Sequence, residues 1–189
     1  MKQHISSQNT KKMLAETLKS LMQKKPLSKI SVSEIVNACQ INRKTFYYHF
    51  ADIYELLEWQ IEQEILEFTN NVIDVFDFET IFTLGTNYIE QNTYLSNCVN
   101  DPIACDKLTQ LFDKKFYPIT LNAITQIEEH YGKSLDIDYK QFVARQFSHI
   151  ESLCVIDTIK HKNTIDKEKM LLYFSNTFKN SLDGIFEKL

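Results

Sequence analysis

The chain has 189 residues, 43% of them hydrophobic, enough to bury one large core or two small ones. Only three Gly and three Pro stand in that length, which argues against a strand-and-turn architecture and for an all-α fold. The formal charge of −4 conceals a polarised molecule: residues 1–50 hold nine Lys or Arg against two Asp or Glu (+7), and residues 51–189 hold twelve against twenty-three (−11).

A basic segment of that size attracts phosphate whatever the sequence, while an acidic remainder is held off a duplex, so a pI near 5.7 does not exclude a nucleic-acid partner. No apolar run approaches the ~20 residues of a membrane span, and Met1-Lys2-Gln3-His4 leads into polar sequence rather than the apolar region of a signal peptide. A cytoplasmic protein is expected. Cys39, Cys98, Cys105 and Cys154 form neither a close pair nor a zinc spacing and read as reduced thiols, with a Cys98–Cys105 redox switch as the alternative.

In chain order, the spacing predicts a first helix from Thr10, as N-cap, to about Lys25, with Leu14, Leu18, Leu21 and Met22 on one face and Pro26 stopping it. A second opens at Ser31 with Glu34 three residues on, a capping box followed by the apolar positions Val32, Ile35 and Val36. After the connection Ala38-Cys39-Gln40-Ile41, Asn42 is a good N-cap for a helix starting at Arg43. Its first turn, Arg43-Lys44-Thr45, puts two cations at the end where the macrodipole favours anions, a placement that a negative partner outside the protein explains. Phe46 and Phe50 share one face and anchor this helix, leaving Arg43, Lys44, Tyr47, Tyr48 and His49 around the others. Asp52 with Glu55 opens a long fourth helix through Leu56, Leu57, Ile61, Ile65 and Phe68 to about Asn71.

The run Thr45-Phe46-Tyr47-Tyr48-His49-Phe50, followed by Glu55-Leu56-Leu57, resembles the signature of TetR-type transcriptional regulators: threonine, an apolar residue, tyrosine, any residue, histidine and phenylalanine. The chain departs from that pattern twice. Gln40 stands where the turn commonly has glycine, which accepts positive φ as glutamine does not, and Ile53 stands where a phosphate-contacting lysine is usual. The resemblance implies a helix-turn-helix domain over residues 1–52 and a helical effector-binding and dimerisation domain over residues 53–189. It also implies double-stranded DNA as partner, with Ser31, Ser33, Arg43, Lys44, Thr45, Tyr47, Tyr48 and His49 as the contacting residues.

Further helical patterns cover Phe78 to Gln91, Asp101 to about Tyr131 with a bend at Pro118 and a stop at Gly132, Asp136 to about His161, and Thr164 to Leu189. Asn92 to Asn100 reads as a loop. In the penultimate helix Phe142, Val143, Phe147, Ile150 and Cys154 are expected to face inward. Leu171, Phe174, Phe178, Leu182 and Ile185 form one stripe on the last helix, the candidate face for a homodimer or else part of the protomer's own core. Among the many aromatics of this region, Phe76 and Phe82 included, Phe112, Phe116, Tyr117 and Phe147 are candidate walls of a pocket for a small apolar effector. The layout from Tyr88 to Tyr94 and from Phe147 to Ile159 is similar to a TetR-type subgroup that includes activators of dihydroxyacetone-kinase operons, where a partner protein can replace the small ligand.

Catalytic signals are missing from the sequence. The five histidines are scattered, and carboxylate pairs such as Glu62 with Glu64 or Glu128 with Glu129 read as solvated helix faces. No enzyme, cofactor or metal site is expected. The leading expectation is a homodimeric regulator of transcription, most readily a repressor, on a palindromic operator. The alternatives are a helical scaffold protein and an activator under the control of a protein partner.

Overall fold

A computed structural model describes residues 2–70, 78–161, 164 and 166–188, which form helices joined by turns and short connections, without a strand among them. The elements are α1 (Lys2–Met22), a 3-10 turn (Leu27–Lys29), α2 (Val32–Ala38), α3 (Arg43–His49), α4 (Ile53–Asn70), α5 (Phe78–Gln91), α6 (Tyr94–Val99), α7 (Pro102–Tyr131), α8 (Ile137–Lys160) and α9 (Lys167–Phe186). No described helix is long and apolar enough to cross a membrane. Phe76 lies outside the described residues, as does the side chain of Phe82.

Two compact units result: Met1–Val72 with Asn92–Leu108, and Ile73–Gln91 with Thr109–Leu189. In the first, α1 packs against α2, α3, α4 and α6. Leu14, Leu18, Met22, Ile35, Phe46, Leu56 and Leu57 are fully buried there. The unit extends past residue 52 because Leu56, Leu57 and Ile61 bury the inner face of α4.

Three expectations are corrected in this unit. The first helix begins at Lys2, so Thr10 lies within it instead of capping it. The expected loop Asn92–Asn100 contains α6, whose Tyr94, Leu95, Cys98 and Val99 are all buried. Six residues are too few to hold a helix alone, and tertiary contacts supply the rest. The Asn97 amide donates to the Met22 carbonyl at the end of α1 (2.6 Å), the Tyr94 hydroxyl bonds Glu64 of α4, and Lys19 reaches both Glu64 (2.8 Å) and the Tyr94 ring (4.8 Å). Gln40 does adopt positive φ, at 55°. Gln40 N–H bonds the Asn37 carbonyl (3.1 Å) and Ile41 N–H the Val36 carbonyl (3.0 Å), the two bonds of a Schellman end to α2. Gly132 ends α7 the same way at φ 62°, with Gly132 N–H on Glu129 and Lys133 N–H on Glu128. Glutamine thus carries a strain that glycine does not, and Gln40→Gly should raise the stability of this unit by ~1 kcal/mol. A thermal or urea melt checks this, and a loss of stability would show that the turn is not strained.

The second unit is built on Ile124, Leu135, Val143, Ala144, Phe147, Phe174, Leu182 and Phe186. The Asp136 carboxylate caps α8 by accepting from Asp138 and Tyr139 N–H groups, and Asp166, not Thr164, caps α9 by accepting from Lys169 N–H. Pro118 lies inside the single helix α7. The facing of α8 is also corrected: Val143 and Phe147 point inward, but Phe142 is 58% exposed and Ile150 is exposed too. The inward face carries Ala144, Ser148, Glu151 and Ser152 instead. The carboxyl of Glu151 accepts from the Thr120 hydroxyl (2.9 Å), and desolvation raises its pKa to about 7 against that hydrogen bond. The thiol of Cys98 is buried, and desolvation, then the charges of Glu64 and Asp101, push it up to about 12, which makes it a poor member of a redox pair.

Candidate nucleic-acid interface

The helices that present the interface are set by local chemistry. Ser31 Oγ accepts from Glu34 N–H (3.3 Å) to start α2, while the Glu34 carboxylate turns to Lys25 (2.7 Å), so only half of the expected capping box forms. Asn42 Oδ1 accepts from both the N–H (2.8 Å) and the hydroxyl (3.1 Å) of Thr45, fixing the start of α3 and the rotamer of Thr45 together. Asp52 Oδ1 then accepts from Glu55 N–H (2.8 Å), and Glu55 in return accepts from Ala51 N–H.

Phe46 and Phe50 are buried and hold one face of α3 in the core, with Phe50 tilted against Trp59 of α4 at 5.9 Å. The rest of the helix is presented outward. Arg43 and Lys44 are exposed, Tyr48 is 81% exposed, Tyr47 packs edge-on to Phe46 (5.5 Å) yet stays half in solvent, and Thr45 and His49 are partly covered. Ser31 is exposed and Ser33 partly so, at the start of α2. The eight residues singled out from sequence therefore lie on α3 and on the first turn of α2 with its cap, in one unit. Burial, then the charge of Lys11, lowers the pKa of His49, so its imidazole is neutral at neutral pH and offers one donor and one acceptor.

Such a surface suits a polyanion with readable edges. A short helix locked by two aromatic residues offers Arg and Lys donors at its N-terminal turn, hydroxyls along its side and no carboxylate of its own. Residues 15–58 match the family model described as bacterial regulatory proteins, tetR family. That segment of the chain is similar to the tetR family.

The match covers α2 and α3, the C-terminal part of α1 and the start of α4. The chain is 35% identical over 83 residues to the HTH-type dhaKLM operon transcriptional activator DhaS of Lactococcus lactis subsp. lactis (strain IL1403), a stretch that is 44% of either chain. The chain thus matches less than half the length of that relative. A solved structure titled dihydroxyacetone kinase operon activator DhaS superposes with a TM-score of 0.65 at 23% identity, covering 92% of this chain and 96% of the other, which shows a common fold. The proteins matched are regulators, not enzymes.

Sequence reasoning counted Lys11 among the lysines that merely solvate a surface helix, and passed over Trp59. Trp59 is the only tryptophan and lies nine residues after Phe50, a spacing that says nothing until α4 folds back beside α3. In the second unit, the four residues expected to line a pocket are engaged in packing. Phe147 meets Phe178 edge-on (4.7 Å), Tyr117 packs on the same cluster, and Phe112 stacks with Phe116 (6.2 Å). The stripe expected to form a dimer face is turned the same way: Phe174 and Leu182 are core, and Phe178 and Ile185 pack against it.

Proposed function

We propose that the protein is a sequence-specific DNA-binding regulator of transcription, acting as a homodimer on a palindromic operator. The observation that carries this reading is the outward, core-locked first turn of α3, where Arg43 and Lys44 stand free of any helix-stabilising role while Asn42 holds Thr45 in place. In a helix-turn-helix this turn reaches base edges in the major groove, and Tyr47, Tyr48, His49, Ser31 and Ser33 flank it for sugar and phosphate. Two copies spaced ~34–36 Å apart would meet successive major grooves on one side of the duplex.

The experiment is selection of duplex DNA from a random pool, followed by binding of variants to the recovered site. Arg43→Ala should lose ~1–3 kcal/mol of discrimination at one base position, if that contact is a bidentate guanine pair. Equal weakening toward every sequence would instead make Arg43 a phosphate ligand. Failure to enrich any sequence would favour the scaffold reading, in which the basic unit meets some other acidic surface.

The general family resemblance suggests repression, whereas the relative matched over 83 residues is named an activator. A reporter placed behind the selected site distinguishes the two by the direction of its response. Control by a small apolar effector is assigned to the second unit, at Phe112, Phe116, Tyr117 and Phe147. Because these rings are engaged in packing, an effector there would have to open the core, and hydrogen exchange of α7 and α8 should report it.

A further inference from the structure

The Lys11 ammonium lies 5.3 Å from the centre of the Phe50 ring and 5.7 Å from that of Trp59, two rings themselves 5.9 Å apart. It therefore rests on an aromatic platform at the C-terminal end of α3, attracted by the ring quadrupoles. Its charge is felt by His49, next to Phe50 in the chain.

A seven-residue helix is about 10 Å long, comparable with the ~12 Å width of the major groove. Arg43 and Lys44 stand at one end of α3 and Lys11 is held over the other. The helix that follows brings no cation there, since α4 opens with Ile53-Tyr54-Glu55-Leu56 behind the Asp52 cap. We propose that Lys11 is a phosphate-neutralising contact, held by Phe50 and Trp59 so that the recognition helix is clamped to the DNA backbone at both ends. This assignment rests on the DNA-binding reading above and adds to it a residue of α1 that contributes affinity without base selectivity. A role confined to covering the two rings is the competing account, and it needs no DNA.

The test is the salt dependence of binding to a short labelled duplex of random sequence, measured for the full chain. Lys11→Met keeps an aliphatic stem and should lower the slope of log affinity against log salt by ~0.9 per bound protomer, with base preference at the selected site unchanged, while Lys11→Arg should keep the slope. An unchanged slope in a folded Lys11→Met protein overturns the proposal. Lys11 of the unaltered protein should also be shielded from acetic anhydride by the duplex, read by mass spectrometry, and equal acetylation with and without DNA overturns it without any variant. If the wild-type protein shows no salt-dependent binding to the duplex at all, the DNA-binding reading itself fails, an outcome distinct from either of these.

Discussion

Glu151→Gln should make the protein more stable above neutral pH by on the order of 3 kcal/mol, the equivalent of holding a carboxyl at about 7 instead of 4.5. The sign follows from which state holds the proton. The folded pKa lies above the unfolded one, so the contribution of Glu151 to stability is fully present below pH 4.5 and is lost as pH rises through about 7. Burial favours the protonated form, and the contact with Thr120 can accommodate it. Thr120 Oγ1 lies 3.1 Å from the Phe116 carbonyl and 2.9 Å from Glu151, but it has one hydrogen to give. A neutral Glu151 donates to Thr120 and leaves that hydrogen for Phe116, whereas an ionised one competes for it. Glutamine can donate the same way at any pH. Urea denaturation of both proteins across this range should give curves that converge in acid and part toward neutrality. A constant difference between them would mean that Glu151 is solvated.

Leu182→Asp should unfold the second unit, at a cost of at least the ~2–5 kcal/mol of a core leucine truncation plus the burial of a charge. The side chain is 0% exposed within a single protomer, so it is not available to a second one. A homodimer built on the last two helices must use what they leave in solvent, which includes Tyr139, Phe142, Ile150 and Leu153 on α8, and Leu172 and Tyr173 on α9. The α8 residues recur at spacings of three, eight and three, one face of a helix, and Tyr139 and Phe142 stack at 6.5 Å. Phe142→Glu with Leu153→Glu should therefore give a folded monomer with weak operator affinity. Sedimentation and near-UV circular dichroism separate the outcomes: a folded, monomeric Leu182→Asp protein would reverse the two faces, and a dimeric Phe142→Glu/Leu153→Glu protein would place the second copy elsewhere.

What was legible in the sequence was what is decided within one turn of helix. Ser31, Asn42 and Asp52 act over three residues, and the structure has each of them accepting from an N–H of the first turn it was expected to open. The spacing of Phe46 and Phe50 gave the buried side of α3 for the same reason. α6 was not legible, because the residues that hold it, Met22, Lys19 and Glu64, are some 30 to 75 positions away. The facing of α8 misled for a different cause. Its two opposed faces both carry large apolar residues, and the inward one also takes up Ser148, Glu151 and Ser152, so hydrophobicity alone picks the wrong side. At Gln40 the preference of a single residue gave way to the hydrogen bonds that close α2.

The placement of α6 bears on how such a protein can be taken apart. Residues 92–108 belong to the first unit, yet the chain reaches them only after contributing α5 to the other unit. A gene fragment stopped after α4 would leave the Met22 carbonyl uncapped, the Lys19–Glu64 pair without Tyr94, and the side of α1 that α6 covers in water. Chimaeras that graft a foreign domain behind residue 70 inherit the same bare surface. Here the unit that carries α3 is not a detachable cassette, and a working exchange of the second unit would have to carry residues 92–108 along with the first four helices.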